Sequence, residues 1–128
     1  SGPLMDRVDL RVDMHPVLAG AFGDHAAEST SAVRARVAAA RAAAAERWRE
    51  VGVRTNAEVP GPVLRRRFRL SRDAMEPLRK SLDSGRLSIR GVDRTLRVAW
   101  SLADLRGRNS PNLEDVSTAL GFREGDVR

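Results

Sequence analysis

The sequence predicts a mostly α-helical fold, a small bundle of about five helices preceded by one β-strand. From residue 29 onward, apolar side chains recur every three or four positions, which is the period of one helix face. Residues 7–14 instead alternate strictly between charged and apolar side chains, the period of a half-buried strand. The 128 residues are 41% hydrophobic but only 4% aromatic, so we expect a single core built mainly from aliphatic side chains.

The predicted strand has no second strand in the sequence with which to pair. Its apolar side is formed by Val8, Leu10, Val12 and Met14. Because a lone strand is not stable in water, we expect residues 1–14 to pair with strands outside this sequence or in another molecule. Residues 15–28 combine His-Pro with Gly and Asp and show no period, so they are predicted to be a linker.

Helix start and stop signals divide the predicted helical domain, residues 29–121, into five helices. Ser29 or Thr30, together with Ser71 and Ser88, are suited to cap helix N-termini, and Pro62 and Pro111 suit the first helical position. Residues 122–128 are predicted to be a charged tail that frays. The predicted helices are 30–51, 62–68, 72–84, 89–106 and 111–120.

Each long helix carries a candidate core stripe. The most regular is in 89–106, and we also expect Trp48 and Trp100 to be core residues. The stripes are formed by Val33, Val37, Ala40, Ala44, Trp48 and Val51; by Met75, Leu78 and Leu82; by Ile89, Val92, Leu96, Ala99 and Ala103; and by Leu113, Val116 and Leu120.

Composition argues against several classes of function. Without cysteine, the chain has no disulfide, thiolate metal site or cysteine nucleophile, and its two histidines, His15 and His25, share no predicted helix, so no metal site is expected. The sequence contains no run of 18 apolar residues, so no membrane span is predicted. We expect a cytoplasmic location. The phosphate-binding pattern G-x-x-x-x-G-K-[ST] does not occur, so the chain by itself is not expected to be an enzyme.

The net charge of +6 favours anionic partners, although arginine supplies all the basic residues except Lys80, as the codons of a GC-rich genome would favour. Arg90 stands in the first turn of its helix, where the helix dipole disfavours a cation unless an anion is nearby. We expect Arg94 and Arg97 on the same face, with Asp93 paired to Arg97. A solvated arginine-rich face is the alternative.

Two further arginine sites deserve a functional interpretation. Arg7 lies at the start of the predicted strand, where it could reach a nucleotide on a neighbouring molecule or simply pair with Asp6 or Asp9. The densest positive cluster could contact a nucleic-acid backbone with Phe68 stacking on a base, or form a solvated face with Phe68 and Leu64 in the core. That cluster is Arg65, Arg66, Arg67 and Arg69.

Five segments resemble the magnesium-chelatase-related AAA+ ATPases, in particular the ComM/YifB-type branch, and they occur in the family's order. Ser1–Leu10 resembles the family's Ser-Gly-Pro-Leu-Leu-Asp-Arg-Ile-Asp-Leu, with Met5 and Val8 as substitutions. Leu87–Ala99 resembles Leu-Ser-x-Arg-x-x-Asp-Arg-x-Leu-Arg-Val-Ala. The shorter matches are Glu28–Val37, Asn56–Val59 and Ala119–Arg123.

The resemblance implies that the helices form the lid of an AAA+ motor and that the strand was excised from its core sheet. Arg7 would be the arginine finger that acts on a neighbour's ATP, oriented by Asp6, and Arg90 would be the sensor-2 arginine, with Arg94 beside it at the nucleotide. ATP and Mg²⁺ would bind the full-length protein and not this chain alone. Implied partners are the protein's own AAA+ core, neighbouring subunits of a hexamer, and DNA.

Two other functions remain open at this point. The chain could be the lid of a magnesium-chelatase ATPase subunit that inserts metal into a tetrapyrrole. It could also be a small basic nucleic-acid-binding helical domain, since the arginine cluster at 65–69 is outside the motifs that carry the resemblance.

Overall fold

A computed structural model describes residues 2–5, 7–16 and 27–125, and this part of the chain is mainly helical. The predicted fold class, a small and mostly α-helical domain, is confirmed. Two 3₁₀ turns, Arg49–Val51 and Asn56–Glu58, connect the helices. The α-helices are α1 Gly2–Met5, α2 Thr30–Arg47, α3 Gly61–Arg65, α4 Arg72–Asp83, α5 Ile89–Leu105 and α6 Leu113–Glu124.

Helix α5 is the centre of the bundle. It packs against α2, α3, α4, α6 and the 3₁₀ turn at 56–58, and α4 also packs against α6. The predicted stripe on α5 is buried at Val92, Leu96, Ala99 and Ala103, whereas Ile89 at its start is 48% exposed. Because α5 packs against nearly every other element, the backbone of its first turn is fixed in position by the rest of the bundle.

Three aromatic rings occupy the core beside α5. Trp48 packs edge-on against Phe68 and Trp100, with ring centroids 4.6 and 5.5 Å apart. Edge-to-face packing of this kind is the favoured arrangement for aromatic pairs. The expectation that both tryptophans are core residues is therefore confirmed, and Phe68 joins them.

A buried polar network fastens the end of α2 to α5. Arg47 donates two hydrogen bonds to the Asp104 carboxylate, at 2.8 and 2.6 Å. Asn56 donates to the same carboxylate at 3.0 Å and accepts from the Trp48 indole at 2.8 Å. The Asp104 side chain is 1% exposed and that of Arg47 is 12% exposed, so this ion pair is almost fully removed from water.

The three predicted serine caps are confirmed. The hydroxyls of Ser29, Ser71 and Ser88 each accept a hydrogen bond from the backbone N–H three residues later, at 3.1 to 3.2 Å. Each cap satisfies one of the backbone donors that the first turn of a helix leaves unpaired.

The last helix begins two residues later than predicted. Asn112 caps it, in place of the predicted start at Pro111, because Asn112 and Asp115 form a reciprocal capping box with bonds of 2.9 and 3.1 Å. The changed start leaves Leu113 50% exposed, whereas Val116 and Leu120 are buried as predicted. The helix also runs past residue 120 to Glu124, into the segment predicted to be a fraying tail.

Residues 8–16 form no strand in the structure, and no strand occurs elsewhere in the described part. A strand requires hydrogen bonds to a neighbouring strand, and the described residues supply none. Leu10, Val12 and Met14 are accordingly exposed. The segment instead lies against α6, where the Arg11 N–H donates to the Phe122 carbonyl at 2.8 Å. It follows α1, a short helix that the sequence pattern did not predict.

The first half of α2 extends beyond the core. Val33 and Val37, which belong to the predicted stripe, are both 37% exposed, while Ala44 and Trp48 near the helix end are buried. High alanine propensity supports such a helix without full burial. No helix in the described ranges is long and apolar enough to cross a membrane.

Candidate functional site

Gly91, in the first turn of α5, lies close to the side chains of Leu87 and Arg123. A Cβ atom at this position would lie 2.6 Å from Leu87 Cδ1 and 3.2 Å from Arg123 Nε. A side chain at this position would therefore displace Leu87, whereas the more flexible Arg123 at the end of α6 would have to shift only slightly. The Ser88 cap and this close packing together fix the backbone that carries Arg90.

Arg90 is exposed on this supported turn. Its guanidinium makes no ion pair or hydrogen bond with any other residue that the structure describes. The N-terminus of a helix carries a partial positive charge and free backbone N–H groups. An unpartnered arginine at that end of a helix can bind an anion such as a phosphate without breaking an existing contact.

Arg94, one helical turn after Arg90, contacts the segment that contains Arg7. Its Nη1 atom donates to the Asp9 carboxylate at 3.0 Å and to the backbone carbonyl of Arg7 at 3.1 Å. The Arg94 side chain is 25% exposed and that of Asp9 is 49% exposed. The structure thus joins two sequence motifs that stand more than 80 residues apart, and the predicted contact of Arg94 with a nucleotide stays a prediction.

Arg7 is exposed in the turn that follows α1. Its backbone N–H donates to the Leu4 carbonyl at 3.1 Å, which closes the turn. Its guanidinium makes no ion pair with the residues for which the structure gives positions. Asp6, predicted to orient Arg7, lies outside the described residues.

The predicted pair between Asp93 and Arg97 is wrong. Asp93 accepts from Arg65 Nε of α3 at 2.8 Å, and Arg97 Nε donates to the Val59 carbonyl at 3.1 Å. Asp93 is largely buried and faces α3, so the nearest arginine in space replaces the nearest one along the helix. Both contacts tie α5 to the segment before and within α3.

The basic cluster divides into paired and unpaired members. Arg65 is paired with Asp93, and Arg67 is paired with Glu50 and lies over the Phe68 ring, 5.4 Å from its centroid. Arg66 and Arg69 are exposed, without an ion pair to another described residue. Leu64 is buried and Phe68 packs on the core, so Phe68 is not free to stack on a base.

Sequence reasoning named Asp9 only as a possible partner of Arg7 and assigned no role to Arg123, yet both residues shape this site. Asp9 accepts from Arg94, and Arg123 donates to the Val8 carbonyl at 3.4 Å from the end of α6. Both stand inside motifs that carry the family resemblance, which is the signal that could have identified them. Within the described ranges, no group of three or more His, Cys, Asp or Glu side chains could hold a metal ion.

Comparison with known proteins supports the resemblance along the whole chain. A family model described as magnesium chelatase, subunit ChlI C-terminal, matches residues 27–123. An uncharacterized protein of Mycobacterium tuberculosis is 67% identical over 128 residues, which is 100% of this chain and 25% of the relative. No solved structure is significantly similar to the chain.

Two more distant relatives have the names that the sequence motifs suggested. The uncharacterized protein YifB of Salmonella typhimurium is 30% identical over 98% of this chain and 24% of its own length. The competence protein ComM of Haemophilus influenzae is 30% identical over 96% of this chain and 24% of its own length. The chain thus spans about a quarter of the length of the relatives it matches.

Proposed function

Because the chain belongs to the magnesium chelatase ChlI C-terminal family, with ComM and YifB among its relatives, we propose that it is the helical lid of a longer AAA+ ATPase. In the proposed assembly, the lid packs on a nucleotide-binding core of the same subunit and belongs to a ring of subunits. The observation that carries this proposal is that Arg90 is exposed at a helix N-terminus and has no ion pair with a described residue, a position suited to binding phosphate.

Arg90 is proposed to act as the sensor-2 arginine on ATP held by its own core. Its guanidinium would contact the γ-phosphate, where the helix N-terminus adds favourable electrostatics. Loss of the γ-phosphate removes that contact and lets the lid rotate against the core, a hinge-type transition. The described residues do not form a metal site, so we expect the Mg²⁺ that accompanies ATP to be bound by residues of the core.

Arg7 is proposed to act as the arginine finger in the ATP site of the adjacent subunit. Its exposure and its position in a turn leave the guanidinium able to reach across a subunit boundary. A finger supplied in trans neutralises the charge that develops on the transferred phosphoryl group. Asp6 is proposed to orient the guanidinium.

The test is ATP hydrolysis by the full-length protein with Arg7→Ala or Arg90→Ala. We expect Arg7→Ala to lower kcat by about a thousandfold or more, as for other arginine fingers. Arg90→Ala removes one charge-stabilising donor and should lower kcat by about a hundredfold or more. Arg34→Ala, on the exposed start of α2, is the matched control and should hydrolyse ATP normally.

Arg7→Ala and Arg90→Ala should both keep the helical circular-dichroism spectrum of the parent, since neither arginine side chain is buried. Near-normal hydrolysis by both Arg7→Ala and Arg90→Ala would refute the assignment. The relatives named YifB and ComM are each 30% identical over nearly the whole chain, and this supports our choice of that branch of the family over a metal-inserting chelatase subunit.

DNA is the substrate that we propose for the motor, and the exposed Arg66 and Arg69 are a candidate contact. Contacts to a phosphate backbone release counterions, so binding must weaken as salt rises. Binding of a DNA duplex should be measurable at about 50 mM salt, and the double variant Arg66→Gln/Arg69→Gln should reduce the salt dependence by about two phosphate contacts. Unchanged affinity and salt dependence in that variant would remove these two arginines from the interface.

A further inference from the structure

Arg94 stands between the two arginines to which the proposed function assigns the ATP sites. It is four residues after Arg90 on α5, so the two side chains lie on one face of that helix. Its Nη1 atom is within 3.1 Å of the backbone carbonyl of Arg7 itself. The Arg94 guanidinium therefore connects the Arg7 backbone directly to the helix that carries Arg90.

The segment around Arg7 has contacts of two kinds. The Arg11 N–H donates to the Phe122 carbonyl, and Arg123 donates to the Val8 carbonyl, and both contacts lead to α6. The contact of Arg94 with Asp9 and with the Arg7 carbonyl leads instead to α5. Among the described residues, the Arg94 contact links the Arg7 backbone directly to the helix that carries Arg90.

This contact is too exposed to contribute much to the stability of the domain. Asp9 keeps about half of its side-chain surface in water, at 49%, and solvent screens such an ion pair. The two hydrogen bonds from one nitrogen nevertheless fix the direction of the backbone at Arg7, since a carbonyl and a carboxylate must both lie within reach. Loss of the contact should therefore change position rather than folding.

From this geometry we infer that Arg94 is a positioning residue for Arg7, which holds the backbone of the arginine finger in register with the helix of Arg90. The inference rests on the proposed function, because it gives Arg94 a consequence only if Arg7 acts at an ATP site. It differs from the prediction that Arg94 binds the nucleotide itself. The two roles have different kinetic signatures.

The experiment measures steady-state ATP hydrolysis by the full-length protein with Arg94→Gln. A finger displaced by about an ångström should lower kcat by about 10- to 100-fold, while the KM for ATP changes by less than about twofold. Arg94→Lys, which keeps a cation within reach of Asp9, should recover part of the loss. Arg34→Gln is the control and should match the unaltered protein, because Arg34 is exposed and lies on α2 away from these contacts.

A double-variant cycle makes the test specific. Because Arg94 acts through Arg7, Arg94→Gln should cause no further loss of kcat in a protein that already carries Arg7→Ala. Asp9→Ala should repeat the effect of Arg94→Gln from the other side of the contact. It also keeps the test valid if Arg94→Gln folds poorly, because Asp9 is exposed and has no place in the core.

The outcomes separate this inference from the proposed function. Normal hydrolysis by Arg7→Ala would overturn the proposed finger and the inference with it. A severe defect in Arg7→Ala, combined with unchanged kcat in Arg94→Gln, would overturn the inference alone. The inference would equally fail if Arg94→Gln raised the KM for ATP and its effect added to that of Arg7→Ala, since that pattern indicates direct nucleotide binding.

Discussion

Removal of the Asp104 carboxylate should be among the most damaging single changes in this domain. The carboxylate accepts two hydrogen bonds from Arg47 and one from Asn56, and its side chain is 1% exposed. Asp104→Ala would leave the largely buried Arg47 guanidinium without a counter-charge. Breaking a buried ion pair in this way typically costs about 3–5 kcal/mol.

The loss expected here is near the lower end of that range. Arg47 retains 12% exposure and lies 4.2 Å from the centroid of the Trp100 ring, so part of its charge remains stabilised. We expect a loss of about 3 kcal/mol, against a total stability of about 5–15 kcal/mol for an ordinary domain. With a urea m-value of about 1.5 kcal/mol/M, the unfolding midpoint should fall by about 2 M.

Urea unfolding followed by tryptophan fluorescence measures this directly, because the two tryptophans are both buried next to the network. Asp83→Ala is the matched control, since Asp83 forms an exposed ion pair with Arg79 and its loss should change stability by less than about 1 kcal/mol. The double variant Arg47→Met/Asp104→Leu should recover most of the lost stability, because two apolar side chains leave no buried charge. A loss below about 1 kcal/mol for Asp104→Ala would contradict this account of the network.

Three further changes test the local interactions. Gly61→Ala places a Cβ atom 2.1 Å from Asp93 Oδ2, so the carboxylate must move, and thermal unfolding should show a loss of about 1–3 kcal/mol. Asn112→Ala removes the cap of α6 and should cost about 1–2 kcal/mol in urea unfolding. A hydrogen bond from the Thr55 hydroxyl holds the pKa of Glu58 below its ordinary value of 4.5. The charged carboxylate therefore stabilises the fold fully at pH values above 4.5, and this stabilisation is lost as the pH falls through the lowered pKa. The stability difference between the parent and Glu58→Gln should therefore shrink in unfolding curves recorded at progressively lower pH, and a constant difference would contradict the assignment.

Local signals in the sequence predicted the helices well. The Ser29, Ser71 and Ser88 caps depend on a side chain and a backbone N–H three residues apart, so their contacts can be anticipated without tertiary structure. The start of the last helix was mispredicted because two local signals compete there. Pro111 suits a first helical position, but Asn112 and Asp115 satisfy two backbone donors and determine the start.

Contacts between distant residues could not be anticipated in this way. Val33 and Val37 have the spacing of a core stripe, but periodicity does not indicate whether another element covers that stripe. Asp93 pairs with Arg65, 28 residues away, in place of the arginine one turn along its own helix. The fold decides both outcomes.

The candidate site shows the same division. The position of Arg90 in a helix first turn follows from the Ser88 cap, and its exposure follows from the apolar stripe on the opposite face of α5. The contact between Arg94 and Asp9 joins residues 85 positions apart and became evident only from the structure. Motif resemblance located the arginines, while the fold shows how they are connected.

In the proposed function, Arg90 serves the ATP site of its own subunit and Arg7 that of the neighbouring subunit. Mixing full-length Arg7→Ala and Arg90→Ala subunits tests this division of roles. In a ring with head-to-tail interfaces, random mixing in equal amounts places an intact Arg90 opposite an intact Arg7 at about one quarter of the sites. We predict that ATP hydrolysis, almost absent in each variant alone, recovers to about a quarter of the normal rate in the mixture. A mixture that stays as inactive as its two components would contradict this division of roles.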